Sequence, residues 1–260
     1  MKVKELTAWI ENRYPPQAAE DWDNVGLLVG DDESEIHHIF LALDLTEETL
    51  LEAVDAGADM ILTHHPMIFT NIRQINNHTF TGRKILTLIR KGISYYAMHT
   101  NYDILGMADL SAEYLKLRET SVLSVTEEKD GKQEGFGRAG LLPEKMTLKE
   151  CALFVKNALK LKDVKVYGPL DEKVERAAVC TGSGKSMIDE AIRSGAQVYI
   201  TGDIDHHTGI DTVARGMALI DAGHYGTEYI YMEAMKKELK RAFPDLPVSC
   251  AAVKNPYTIL

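Results

Sequence analysis

The sequence predicts an α/β protein made of two similar lobes with mostly parallel sheets. Three observations carry that expectation. Short apolar runs alternate with helix-length amphipathic stretches. The first half follows the order strand, helix, strand, helix, strand, which is the pattern of a parallel sheet. Two segments share one skeleton, DLTEETLLEAVDAGADMILT over Asp44–Thr63 and GSGKSMIDEAIRSGAQVYIT over Gly182–Thr201. In that alignment Glu52 matches Glu190, Ala53 matches Ala191, Gly57 matches Gly195, Ala58 matches Ala196 and Thr63 matches Thr201. Each copy reads as a helix, a tight Gly turn and a buried strand, and internal duplication accounts for the match better than coincidence does. The expected division is a first lobe over 1–120 and a second over 121–260, with a cleft between them as the default site.

The elements follow in order. MKVKELTAWIENRYPP opens the chain as an amphipathic helix with Leu6, Trp9 and Ile10 on one side. It has neither the apolar core nor the small-residue cleavage site of a signal peptide. Ile39–Leu45 reads as a buried strand. Thr46 caps the helix after it, with Glu47 and Glu48 in the first turn, where they suit the helix dipole. Met60–Thr63 is the next strand, Thr81–Lys91 a helix stopped by Gly92, and Ile93–Met98 another strand. Ser121–Glu144 breaks the rhythm, because EEKDGKQEG is polar and Gly-punctuated, as in an exposed hairpin or loop. Helix Thr147–Leu161 and strands Val164–Tyr167 and Arg176–Thr181 follow. Helix Lys185–Ser194, strand Gln197–Thr201, a helix from about Asp205, strand Met217–Asp221 and a helix from Tyr225 to about Arg241 complete the chain.

Composition narrows the function classes. A chain that is 45% hydrophobic and 26% charged is neither collagen-like nor globally disordered. The formal net charge of −10 argues against a global grip on nucleic acid or anionic membrane. No run reaches the ~18 apolar residues of a membrane span. Cys151, Cys180 and Cys250 form no CxxC pair and no disulfide framework, which points to a reduced, cytoplasmic protein.

Three motifs at strand ends carry the chemistry. His64-His65-Pro66 directly follows a strand, and ligands of parallel sheets sit beyond the carboxyl ends of strands. Adjacent histidines on a straight strand point to opposite faces, but at a strand end that turns they can reach two neighbouring metals. HTNYD follows the next strand, so His99 and Asp103 open at the same sheet edge. Asp103 can bind one metal or bridge two, and His99 can be a ligand, a support for one or a proton-transfer group. GHYGTE follows strand Met217–Asp221 and places His224 and Glu228 four apart, on one face of a helix start. Together these supply an imidazole–carboxylate set suited to Zn, Mn, Fe or Co rather than to Mg alone.

The motifs DWDNVGLLVG, GADMILTHHPMIF, HTNYD and GHYGTE, with VCTGSG and TGDIDHH, resemble the Nif-three-like family in its short form, without an inserted middle domain. Many of its members are named type 2 homologues of GTP cyclohydrolase I. The resemblance implies a dinuclear metal centre between the lobes, with His64, His65, Asp103, His224 and Glu228 as ligands to two divalent transition-metal ions. It implies hexamers with sites facing an internal cavity. It also implies a metal-dependent hydrolase acting on GTP or another phosphorylated small molecule, releasing formate and 7,8-dihydroneopterin triphosphate from GTP. His99 is then the candidate for proton transfer. A metal-dependent phosphoesterase and a non-catalytic metal-binding or regulatory protein are the alternatives.

Other features take plainer expectations. TGSGKS lacks the first Gly of a P-loop, since Val179 stands there. His206-His207 reads as a capping or cavity-lining pair, and His37-His38 lies at the wrong end of the sheet. Trp22 and Asn24 read as shaping a turn and its packing. Arg73, Arg83, Lys84 and Arg138 are the candidates for a local positive patch.

Overall fold

The computed structural model describes the backbone of residues 1–260 and every side chain except that of Lys129. The chain forms two compact units. The first holds Met1–Tyr102 and Tyr231–Lys254, and the second holds Asp103–Ile230 and Asn255–Leu260. These bounds differ from a linear division near residue 120. Helix Ile230–Ala242 and the strand after it supply the reason, since that strand hydrogen-bonds into the first sheet.

The first unit contains strands β1 (Gly26–Val29), β2 (Ile39–Ala42), β3 (Met60–Thr63) and β4 (Ser94–Ala97). The second contains β5 (Arg118–Lys129), β6 (Lys132–Thr147), β7 (Lys165–Tyr167), β8 (Lys173–Val179), β9 (Val198–Thr201) and β10 (Ala218–Asp221). Strand β11 (Val248–Cys250) belongs to the first sheet, whose order is β1-β4-β3-β2-β11. Only β1 is antiparallel there. Every residue of β2, β3 and β4 is buried, as expected for strands of a parallel sheet covered on both faces.

The second sheet, β5-β6-β8-β9-β10-β7, corrects the expectation of mostly parallel sheets. Only β8, β9 and β10 are parallel to one another, while β5, β6 and β7 join antiparallel. The polar stretch around EEKDGKQEG is the tip of a long hairpin. Asp130 and Gly131 both take positive φ, 53° and 76°, which is the backbone a two-residue hairpin turn needs.

The internal repeat is visible in the backbone. Strands β2-β3-β4 and β8-β9-β10 run in the same order with matching registers. The turns before β3 and β9 match as well, with Ala58 N–H donating to Ala53 O (3.0 Å) and Ala196 N–H to Ala191 O (3.4 Å). Beyond the strands, Met98 N–H donates to Thr63 O (3.0 Å) and Ala222 N–H to Thr201 O (2.8 Å).

Local signals behave as their chemistry dictates. Thr46 caps helix Glu47–Asp55, its Oγ1 accepting from Thr49 N–H at 3.0 Å. The expected helix Lys185–Ser194 divides into a 3₁₀ turn, Gly184–Met187, and helix Ile188–Arg193. The expected last helix divides into His224–Glu228 and Ile230–Ala242. No helix among the described residues is long and apolar enough to cross a membrane.

Candidate metal centre

In the first unit, the HHP turn leaves the sheet at the end of β3. The buried Thr63 hydroxyl donates to His65 O (2.8 Å) and shares a hydrogen bond with Tyr95 Oη (2.7 Å). Tyr95 Oη in turn accepts from Met67 N–H at 2.8 Å. This buried knot turns the chain so that His64 and His65 lie on one side, with ring centroids 5.0 Å apart. His99, after β4, brings its ring to 5.3 Å from His64 and 5.5 Å from His65. Their ligand atoms all lie within 4.8 Å of one another.

Each ring is fastened at Nδ1. His64 Nδ1 pairs with Met98 O at 2.9 Å, His65 Nδ1 with Asp44 Oδ1 at 2.8 Å, and His99 Nδ1 with Asp23 Oδ1 at 3.0 Å. Nδ1–H donation to an oxygen makes Nε2 the lone-pair nitrogen and orients it. Asp23 also accepts from Thr100 N–H (2.9 Å) and Thr100 Oγ1 (2.6 Å). Burial alone would raise its carboxyl, but the bonds from His99 and Thr100 outweigh that and hold it at about 2, below the usual 3.8. Its contribution to stability is therefore complete above the unfolded value and is lost as pH falls through about 2.

In the second unit, Asp103 opens the π-helical turn Asp103–Met107, a distortion frequent at functional sites. His224 and Glu228 share one face of helix His224–Glu228, with Nε2 and Oε2 3.0 Å apart. Glu228 is only 4% exposed. Carboxylate oxygens of Asp103 and Glu228 lie within 4.8 Å of one another. Burial, helped by Asp103 and Glu228, pushes the neighbouring Cys180 thiol up to about 12. His224 Nδ1 pairs with Asp203 Oδ2 at 2.7 Å. Asp203 takes φ 57°, a left-handed backbone that Asp tolerates better than most residues.

Two glycines make room for this set. A Cβ on Gly182 would lie 2.1 Å from Glu228 Oε1, and one on Gly202 would lie 2.5 Å from His224 N. Buried Asp221 ties the surrounding loops, accepting from Gly223 N–H (3.0 Å), Ile204 N–H (3.3 Å) and Lys165 Nζ (2.7 Å). The donor set thus fits divalent transition metals, with histidines oriented through Nδ1 and a buried carboxylate in a cradle that a side chain would fill.

Asp44, Asp23 and Asp203 went unnoticed in the sequence. A signal for Asp203 exists, because the repeat aligns Thr63-His64-His65 with Thr201-Gly202-Asp203. The adjacent His206 and His207 belong to no candidate ligand group among the described residues. They start helix His206–Ala214, which Asp205 caps by accepting from Thr208 N–H at 3.0 Å. The expected positive patch does not form from Arg83, Lys84 and Arg138. Arg83 pairs with Glu47, Lys84 is buried against Leu45 O, and Arg138 is buried with Asp109. Lys185 of TGSGKS pairs with Asp205 at 2.6 Å.

The family model described as Duf34/NIF3 (NGG1p interacting factor 3) matches residues 1–256. The chain belongs to the Duf34/NIF3 family. A Clostridium perfringens relative named GTP cyclohydrolase 1 type 2 homolog is 35% identical over the full length of both chains. A Clostridium acetobutylicum relative of the same name is 37% identical over 96% of this chain and 93% of its own. Among solved structures, reduced HcgD from Methanocaldococcus jannaschii has a TM-score of 0.81 at 31% identity, covering 96% of this chain and 97% of its own. A Bacillus cereus protein related to NIF3 shares the fold with a TM-score of 0.90 at 24% identity, over 100% of this chain and 99% of its own.

The aspartates behind the rings make a direct prediction. Asp44→Asn and Asp203→Asn should each weaken metal affinity by about 10- to 100-fold, the usual cost of losing an outer hydrogen-bond partner of a ligand. Competition with a chelator of known affinity measures this. Unaltered affinity in both variants would remove the aspartates from the account.

Proposed function

We propose that His64, His65, Asp103, His224 and Glu228 together hold two divalent transition-metal ions, Zn, Fe, Mn or Co, and that the chain is a metal-dependent hydrolase. The observation that carries this reading is the fastening of His64 and His65 at Nδ1 in the first unit and, in the second, of His224 at Nδ1 beside the buried Glu228 carboxylate. His38 is also held at Nδ1, by Ala56 O, but its Nε2 is taken up by Ser249 Oγ, and it stands in no candidate ligand group among the described residues. When bound, a metal pair supplies Lewis acidity and ionises water near neutral pH. Glu228 would serve both ions, and Asp44 and Asp203 would keep His65 and His224 in the ligating tautomer. His99, held at Nδ1 by Asp23, would take up or give a proton at Nε2.

The substrate in this reading is GTP, opened to 7,8-dihydroneopterin triphosphate with loss of formate. The names of the two clostridial relatives support that choice. The reading extends to a homohexamer in the cytoplasm, where three free cysteines are at home. Metal-reloaded protein incubated with GTP should release formate and yield a fluorescent pterin after oxidation, from a species whose light-scattering mass is six chains. Turnover of a phosphoester alone would move the assignment to a phosphoesterase. Full metal loading with turnover of neither would leave a metal-binding or regulatory protein.

A further inference from the structure

Trp22 lies in a turn, as its sequence setting suggests, closed by Asp23 N–H donating to Glu20 O at 2.9 Å, but its ring is left open. It is 61% exposed, and Phe69 is 49% exposed. Exposed apolar side chains scattered singly need no explanation, whereas rings gathered at one place mark a binding surface. Both rings stand nearly perpendicular to the imidazole of His99. Trp22 is 5.8 Å from it, centroid to centroid, at 74°, and Phe69 is 5.7 Å from it at 89°.

Their positions are built rather than incidental. Three consecutive residues perform three tasks. Trp22 touches the His99 ring, Asp23 holds His99 Nδ1, and Asn24 Nδ2 donates to Ile68 O at 2.6 Å, next to Phe69. The loop that carries one aromatic ring is therefore pinned to the loop that carries the other. The Asp23 side chain is wholly buried, so the turn is anchored beneath Trp22. Trp and Phe each lose only two side-chain torsions on forming a contact, so such a pair binds at low entropic cost.

We propose that Trp22 and Phe69 form an aromatic lip over His99 that takes the flat heteroaromatic ring of the substrate. A heteroaromatic ring presents a π face to the lip and ring nitrogens or carbonyls to the imidazoles below it. An aliphatic chain offers the lip apolar surface but nothing polar to the imidazoles, and a sugar phosphate offers polar atoms but no π face. The inference rests on the reading of His99 as a residue that faces substrate. It adds the part of the substrate held there and the residues that select it.

The test is binding rather than turnover, with AMP and GMP as ring-bearing probes and ribose 5-phosphate as the ring-free one. The chain has two tryptophans, Trp9 and Trp22, so a Trp9→Phe background makes Trp22 the single reporter. Either nucleotide should quench Trp22 fluorescence saturably in the metal-reloaded protein and in the metal-free protein. By calorimetry, Trp22→Ala and Phe69→Ala should each weaken nucleotide binding by about 5- to 100-fold, the range for a lost base–aromatic stack. Neither variant should alter ribose 5-phosphate binding, and Trp22→Phe should restore most of the affinity. Equal binding of nucleotide and ribose 5-phosphate, or nucleotide affinity indifferent to both alanine variants, would overturn the lip. A fall in oligomeric mass in Trp22→Ala with nucleotide affinity unchanged would overturn it too, by making the aromatics a contact between copies. Nucleotide binding that needs the lip in a protein without turnover would uphold the lip and defeat the hydrolase reading. Turnover without ring selectivity would do the reverse.

Discussion

Glu228→Ala is expected to strip the protein of most of its metal. Loss of an outer partner of a ligand costs about 10- to 100-fold in affinity, and loss of a carboxylate that serves both ions should cost more. Gly182 leaves space for the Glu228 side chain, and alanine at 228 vacates it without overpacking. Metal bound to the native state and not to the unfolded chain stabilises by about 4 kcal/mol at a thousandfold excess over Kd. The wild-type protein should therefore melt several degrees higher with metal than without, and Glu228→Ala should show almost no such difference. His65→Ala should behave in the same way. Glu228→Gln, which keeps the volume, separates loss of the charge from loss of packing. Elemental analysis after dialysis, with calorimetric melting in parallel, checks all three variants. Wild-type metal content in both Glu228→Ala and His65→Ala would remove these residues from the ligand set.

His99→Ala should leave metal content close to wild type while lowering turnover by about 10²- to 10⁴-fold, the range for a lost general acid or base. Asp23→Asn should depress turnover as well, because an amide can donate to Nδ1 and so stabilise the wrong tautomer of His99. The two variants differ from ligand variants in one readout, since their metal stays bound. His99 also lies within ligand distance of His64 and His65. A His99→Ala protein that loses its metal would reassign His99 as a ligand and shift the proton-transfer role elsewhere.

The candidate ligands were legible because each follows a short apolar strand, and ligands of parallel sheets sit beyond the carboxyl ends of strands. HHP, HTNYD and GHYGTE stand out against their buried strands for that reason. The aspartates behind the rings were not legible, since Asp44, Asp23 and Asp203 look like ordinary loop and turn acids until the chain brings a ring nitrogen to each. The central strands and their repeat could be read from buried apolar runs and matched Gly-Ala turns. Strands β1 and β11 could not, because four and three residues carry too little periodicity to show. The return of Tyr231–Lys254 to the first unit depends on long-range pairing of β11 with β2, which no local pattern encodes. The supposed positive patch failed because charge counts do not reveal that Arg138 is buried against Asp109 and two backbone carbonyls.

The central proposal is that this chain holds a pair of transition-metal ions. Elemental analysis of the purified wild-type protein, reloaded with Zn, Mn, Fe or Co and freed of excess metal, tests it most directly. The account predicts two tightly held ions per chain, both lost when His64, His65, Asp103, His224 and Glu228 are replaced together. A well-folded wild-type protein that retains no transition metal after reloading with each of the four would contradict it.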